Sequence, residues 1–430
     1  MVRIDEPGRR AAAGGKNRRP FMTAILLVNN YHYRRGGAEV VYLQQSEMLA
    51  ARGWSVANFA MEHPKNDPSP WSDYFAREIE LGGNYGPVRN AINATKIIYS
   101  REAYRKIGGV IAASGAQLVH AHNIYHHLSP SVLKAAHDRG IPAVLTLHDL
   151  KLLCPSYQML SDGKVCEACK PNKIHQVVVR RCLKGSFALS ALVAVESGVH
   201  RAFGLYRDNV ARFVSPSRFL IDKFVEWGWE RERFAYVPNC VDPAQFVPSS
   251  TVGQRFLYVG RLSAEKGIHT LIRAAGLAGV GVDIVGTGPA EAELKALAAS
   301  SGADARFLGF QKGDPLWNLF DGCRAVVLPS EWYENAPISL LEAFAKAKPV
   351  IAAEIGGIPE MIEPGGNGEL FASGDCEQLA QRLAAMAARS DAEVAQMGRR
   401  AREIVEAGFS PEAHYRLLSA LYRELGVSLE

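Results

Sequence analysis

At 430 residues, 48% hydrophobic and 22% charged, the chain has the length of two or three domains and the composition of an ordinary globular protein. Its net charge of +5 is mild, and six of the first nineteen residues are Lys or Arg, so the excess does not form the concentrated basic face of a nucleic-acid binder. No apolar run reaches the roughly 18–20 residues that span a bilayer, no apolar core precedes a cleavage site, and seven unevenly placed cysteines do not read as a secreted disulfide scaffold; the expectation is a cytoplasmic chain, with peripheral association at the inner face of the membrane left open by the basic charge.

Residues 1–21 carry Gly, Pro, Ala and Arg without apolar periodicity and read as a disordered basic tail. Met22 leads straight into a strand and is an alternative start. Thr23–Asn30 is a continuous apolar run, as a parallel strand buried on both faces requires. Gly36-Gly37 and a helix through Ala51 follow, then a strand at Ser55–Met61, a loop-rich stretch at 62–86 with Gly82-Gly83, and one helix from about Val88 to Ala113. Strands are expected at Gln117–Asn123 and Ala143–Leu147, with a helix at 130–139 between them. In open α/β sheets, ligands gather at the carboxyl ends of strands. His120, His122, His126, His127 and His148 all fall near two such ends.

The alternation of strand and helix breaks at 151–185. Cys154, Cys166, Cys169 and Cys182 are spaced C-x11-C-x2-C-x12-C there. A tight C-x2-C knuckle flanked by single cysteines suits tetrahedral zinc in a structural role, since four thiolates leave no open position. Redox-active thiols and small buried hydrophobes are the alternatives. Helix 186–203, strand 211–215 and helix 217–227 complete a first domain at 22–240, and Phe234–Asp242, a strand running into a Pro-containing connection, is the candidate linker.

A second alternation fills 241–408. Its strands are Phe256–Val259, Asp283–Val285, Arg306–Leu308, Arg324–Leu328 and Val350–Glu354, and two helices fill 375–407. Residues 409–430 hold a last helix. The predicted architecture is two doubly wound α/β domains in sequence.

The chemistry is expected where strands run into helices. Arg261 and Lys266, in Gly260–Gly267, place two cations at a strand end before a helix, which suits a diphosphate. Gly286-Thr-Gly-Pro289 adds a glycine turn at the neighbouring strand. Glu334 lies in a polar turn before a helix that Pro337 starts, and Glu342 sits on that helix. A helix N-terminus offers free N–H groups and partial positive charge to an anion. No Walker-type loop is present, which disfavours ATP hydrolysis, and no aspartate pair stands at a strand end to hold a metal-bound diphosphate.

Gly36-Gly-Ala-Glu39, His148-Asp149, Gly260-Arg-Leu through Glu265-Lys266-Gly267, Gly286-Thr-Gly-Pro289 and Glu334-x7-Glu342 occur in one order over most of the chain. As a set they resemble the retaining glycosyltransferases of family 4 (glycosyltransferase group 1), and the cysteine insert resembles that of a bacterial subset. The resemblance implies the GT-B fold, two Rossmann-like domains facing across a cleft with the C-terminal helix crossing back to the first. It implies transfer from a nucleoside-diphosphate sugar, with retention and without a catalytic metal or other required cofactor, to a saccharide or lipid-linked acceptor in surface polysaccharide or glycoconjugate synthesis. Carried over by position, Arg261 and Lys266 bind the diphosphate, Glu334 the sugar hydroxyls and Glu342 the ribose. Gly36 and Gly37 offer N–H groups to the diphosphate, His148 lies at the sugar, and Asn335, Ala336, Pro337 and Ile338 offer backbone donors. Gly286 and Gly288 belong to the donor-binding turn. A nucleotide-sugar 2-epimerase and a non-catalytic nucleotide-sugar-binding subunit are the competing readings. Acceptor recognition is expected from the loops at 62–86 and 123–128.

Overall fold

The structure, a computed structural model, describes residues 23–79 and 87–429; the expected tail, Met22 and the stretch 80–86 with Gly82-Gly83 lie outside the described residues. In chain order the strands are β1 (Ala24–Val28), β2 (Ser55–Phe59), β3 (Leu118–Ala121), β4 (Ala143–Thr146), β5 (Leu160–Ser161), β6 (Lys164–Val165), β7 (Arg212–Ser215), β8 (Phe234–Tyr236), β9 (Phe256–Val259), β10 (Val282–Val285), β11 (Ala305–Gly309), β12 (Val326–Leu328), β13 (Val350–Ala353) and β14 (Gly368–Phe371). They form two six-stranded parallel sheets, ordered β2-β1-β3-β4-β7-β8 and β11-β10-β9-β12-β13-β14, and β5 pairs with β6 as a small hairpin in the cysteine insert. The fold is GT-B, as the resemblance implies.

The strand sequences explain the layering. β1 is buried at every position, because helices cover both faces of its sheet. In each sheet the strand order reverses once, between β1 and β3 and between β9 and β12. Connections leaving neighbouring strands toward opposite faces open a crevice at their carboxyl ends. These two crevices face each other, and they place the site.

Two features depart from the sequence reading. The single helix expected from about Val88 to Ala113 is two, Pro87–Ile98 and Arg101–Ser114. Ser100 breaks it: its side chain caps the second helix, accepting from the Ala103 N–H at 3.1 Å, while its own N–H donates to Ser129 Oγ at 2.9 Å. The edge strand β14 had no expected counterpart, since it follows Pro364-Gly-Gly-Asn-Gly, which reads as turn.

The chain passes twice between the sheets, and the two passages touch, with the Val241 N–H donating to the Phe409 carbonyl at 3.0 Å. The last helix, Pro411–Glu424, then packs on the first sheet. Leu418, Leu421 and Tyr422 share an apolar cluster with Ile25, Leu27, Leu43 and Leu118. The buried Tyr422 hydroxyl lies 2.6 Å from His120 Nδ1 and accepts from Gln45 Nε2 at 3.1 Å. Tyr422→Phe strips His120 and Gln45 of that partner without opening a large cavity. The expected loss is about 1–3 kcal/mol of stability, read as a lower urea midpoint at unchanged m-value.

Candidate active site

The facing crevices enclose a cavity of about 640 Å3. Asn30, Arg35, Gly36 and Gly37 reach it from the β1 connection, Asn123, Tyr125, His126 and His127 from the end of β3, and Asp149 and Lys151 from the end of β4. Gly260, Arg261 and Lys266 come from the end of β9, and Ser330, Glu334, Pro337 and Ser339 from the end of β12. Motifs about 300 residues apart in the chain, Gly36-Gly37 and Glu334, thus line one space.

Glu334 is its centre. The residue is only 8% exposed. Burial pushes its carboxyl up, but Lys266, Ser330 and Trp332 outweigh that and hold it below the usual range, so it is ionised. Lys266 Nζ lies 2.6 Å from Oε1, Ser330 Oγ donates to the same oxygen at 2.7 Å, and Trp332 Nε1 does so at 3.0 Å. Every one of these bonds ends on Oε1, leaving Oε2 without a protein donor among the described residues. Lys266 also sits 5.0 Å from the centre of the Trp332 ring. Arg261 is exposed, and no carboxylate pairs with it among the described residues. The site therefore combines a fixed, half-satisfied carboxylate with an uncommitted cation, a set matched to a ligand bearing hydroxyls and phosphate.

Glu342 does not line the cavity. It sits on the helix Ile338–Ala345, half-buried, and no hydrogen bond or ion pair reaches its carboxyl among the described residues. Burial alone pushes that carboxyl up to about 7. Asn335, Ala336 and Ile338 stand beside the cavity, and the first two join the sheets. Asn335 Nδ2 donates to the Leu147 carbonyl at 3.0 Å, its Oδ1 accepts from Ser217 Oγ at 2.6 Å, and the Ala336 carbonyl accepts from Asn239 Nδ2 at 3.0 Å. Pro337 is the residue before the first helical one and does line the cavity.

Gly286 and Gly288 do not reach the cavity either. A Cβ on Gly286, at φ +135°, would stand 1.8 Å from the Gly260 carbonyl oxygen, and one on Gly288 2.2 Å from that of Leu262. These glycines let the Arg261 loop rest on its neighbour, where the Leu262 N–H donates to the Thr287 carbonyl at 3.0 Å.

On the facing side, His148 lies behind the cavity wall. Its Nε2 is 3.0 Å from His122 Nδ1, the rings of His120, His122 and His148 stack in series, and burial pushes His148 down to about 4, so it is neutral. Its neighbour Asp149 lines the cavity instead, its carboxyl pushed up to about 6 by burial while Oδ1 accepts from the Lys151 N–H at 2.8 Å. Both residues follow β4, so the strand-end rule pointed to either. Sequence reasoning missed Arg35, whose guanidinium lies over the Tyr31 ring at 4.4 Å, and took Glu39, raised by burial, only as the end of the Gly36-Gly-Ala-Glu39 pattern. A cation directly before Gly36-Gly37 was the available signal.

Of the four insert cysteines, Cys154 and Cys169 are buried, Cys166 and Cys182 are half-buried, and none is in a disulfide. Burial and the neighbouring thiols push Cys169 up to about 12 and Cys182 up to about 11. The thiols thus share one neighbourhood, although among the described residues no three His, Cys, Asp or Glu side chains are arranged to hold a metal ion.

Residues 35–245 match the Glycosyltransferase Family 4 family and residues 247–404 match Glycosyl transferases group 1, so each sheet carries one of the two signatures. The chain belongs to the family 4, group 1 glycosyltransferases. Among relatives of this family, the amylovoran biosynthesis glycosyltransferase AmsK of Erwinia amylovora is 31% identical over 40% of this chain and 45% of that protein. The alpha-D-kanosaminyltransferase of Streptomyces kanamyceticus is 32% identical over 40% of this chain and 46% of that protein. The chain thus spans about half the length of the curated relatives it matches. In fold, it resembles the sucrose-phosphate synthase of Thermosynechococcus elongatus (TM-score 0.68, 21% identity, 94% of this chain and 99% of that one). It also resembles Anabaena HepE in complex with UDP-glucose (TM-score 0.61, 18% identity, 93% and 99%).

The raised carboxyl of Glu342 has a measurable cost. In the unfolded chain it ionises at the ordinary carboxylate value, whereas in the fold it holds its proton to about 7. The stability held below the unfolded value is therefore lost as pH rises toward the folded one. Glu342→Gln removes that loss, so its gain in melting temperature over the native chain should be larger at pH 8 than at pH 5.

Proposed function

We propose that the protein is a retaining glycosyltransferase. It moves a sugar from a nucleoside-diphosphate sugar to a saccharide or lipid-linked acceptor in surface polysaccharide or glycoconjugate synthesis, without a catalytic metal. The observation that carries this reading is the Glu334 carboxylate. It is buried and ionised, and it is held through one oxygen by Lys266, Ser330 and Trp332 with Arg261 lining the same cavity.

In this reading Arg261 and Lys266 neutralise the leaving diphosphate, aided by N–H groups of Gly36 and Gly37 and by the start of the helix Ile338–Ala345. Glu334 orients the donor sugar through Oε2, and Glu342 takes the ribose, where ligand hydroxyls supply the partners its carboxyl lacks. The leaving phosphate accepts the acceptor's proton as the new bond forms on the face that the diphosphate leaves. The enzyme contributes charge stabilisation and positioning rather than a separate base. His148 acts from behind the wall, fixing Asp149 and the end of β4 beside the sugar.

Asp149, raised to about 6 within the cavity, is the one observation that favours a nucleotide-sugar 2-epimerase, because such a group can exchange a proton near neutral pH. Incubation with donor alone separates the two: epimerised donor without acceptor would support the second reading. For the insert, we propose a structural zinc, whose donor chemistry four thiolates suit. The cysteines would have to draw closer than they stand, and no catalytic step uses them.

The test is transfer from a panel of nucleotide sugars, with the anomeric configuration of the product read by NMR. Glu334→Ala should lower kcat by about 100-fold or more with little change in KM, as expected when a group that stabilises the transition state is lost. Glu342→Ala should mainly raise KM for the donor. Inverted product would overturn retention, and the opposite kinetic pattern would exchange the two carboxylates' roles.

A further inference from the structure

The helix Phe187–Ala202 is built inside out. Five of its residues are buried, and four of those are polar: Ser190, Glu196, Ser197 and His200. Three of the four meet polar partners inside. Glu196 Oε2 accepts from Lys151 Nζ at 2.9 Å and lies 3.1 Å from His126 Nδ1, His200 Nε2 lies 2.7 Å from the Ile98 carbonyl oxygen, and Ser190 Oγ accepts from the Leu183 N–H at 3.1 Å. At 100° per residue the opposite arc, continued one residue past the helix, carries Phe187, Ala191, Leu192, Val195, Val199 and Phe203, with only Ala and Gly between them. Phe187 is 62% exposed, Val195 55% and Phe203 71%. A surface helix normally turns its polar side to water; this one turns a face without a single charge outward.

Cations frame that face. Residues 170–207 contain seven Lys or Arg and one acid, the buried Glu196. Arg180, Arg181 and Lys184 are exposed just before the helix and Arg207 just after it, and no carboxylate pairs with any of them among the described residues. Val179, beside the first group, is 70% exposed. At the far end a recess of about 290 Å3 is lined by Arg201, Arg207, Arg233, Glu230 and Trp227, whose indole Nε1 is buried without a hydrogen-bond partner among the described residues.

We propose that this face docks the protein on an anionic lipid bilayer, with Phe187, Val195 and Phe203 entering the interfacial region and the flanking cations on the headgroups. A bilayer supplies apolar interior and negative rim together. A second copy of the chain fits poorly: helix against helix, parallel or antiparallel, would bring cationic ends against cationic ends. No helix among the described residues is long and apolar enough to cross a membrane, so the helix lies on the surface rather than spanning it. Its inner face holds Lys151 and His126, which line the cavity, so docking would set the cleft beside the lipid surface.

The test does not depend on sugar transfer. The full chain is sedimented with vesicles of phosphatidylcholine containing phosphatidylglycerol, and with phosphatidylcholine alone. Binding to the anionic vesicles, weakened by salt and absent from the neutral ones, is expected. Val195→Glu, and separately the double charge reversal Arg180→Glu/Arg181→Glu, should each weaken it by about tenfold or more at unchanged melting temperature. The proposal is overturned if the native chain binds neither vesicle or both equally, or if both variants bind as the native chain does. It is also overturned if Val195→Glu instead dissociates a dimer seen without lipid.

Discussion

The ion pair between Lys266 and Glu334 is the constraint on which the site depends. Glu334 is too buried to stay ionised alone, since taking a carboxylate from water is costly unless a cation and hydrogen bonds compensate. Lys266, Ser330 and Trp332 compensate through one oxygen. The fold makes this possible because β9 and β12 are neighbours while their connections leave in opposite directions, so the loop after each must meet the other at the sheet's edge. Tight backbone contacts keep those loops in place. A Cβ on Gly267, at φ +65°, would sit 1.9 Å from the Pro329 carbonyl oxygen, at the root of the Glu334 loop.

Apart from the edge strand β14, the strands of both sheets were readable in the sequence because they are short apolar runs ended by glycine or polar residues, the pattern that burial on both faces imposes on a parallel strand. Residues at the ends of those strands, Arg261, Lys266 and Glu334, were readable for the same reason. What could not be read was the choice between neighbours. His148 and Asp149 both follow β4, and only packing against His122 decides that the imidazole turns into the wall while the carboxylate meets the cavity. Gly286 and Gly288 were recognisable as a turn, but a glycine needed for a ligand and one needed for a neighbouring loop look alike in one dimension. The break at Ser100 was hidden by good helix formers on either side.

The outer face of Phe187–Ala202 was illegible for a different reason. Apolar residues at helical spacing ordinarily mark the buried side, so the sequence suggests the helix faces the other way. Glu196 reverses it: bound to Lys151 near His126, it fixes the polar side inward, and the apolar side is left to the solvent or to whatever replaces it. A polar network behind the cavity thereby sets which surface the first domain presents.

Asn335 follows Glu334 directly, and its amide spans the gap between the sheets, to Leu147 on one side of β4's end and to Ser217 before the next helix. The carboxylate at the centre of the cavity and the residue that ties the two halves together are covalent neighbours. Movement of one therefore carries the other, and the halves cannot part at this point without disturbing the carboxylate's setting. Linkage makes this reciprocal: whatever factor a bound ligand contributes toward the spacing seen here, that spacing returns to the ligand's affinity.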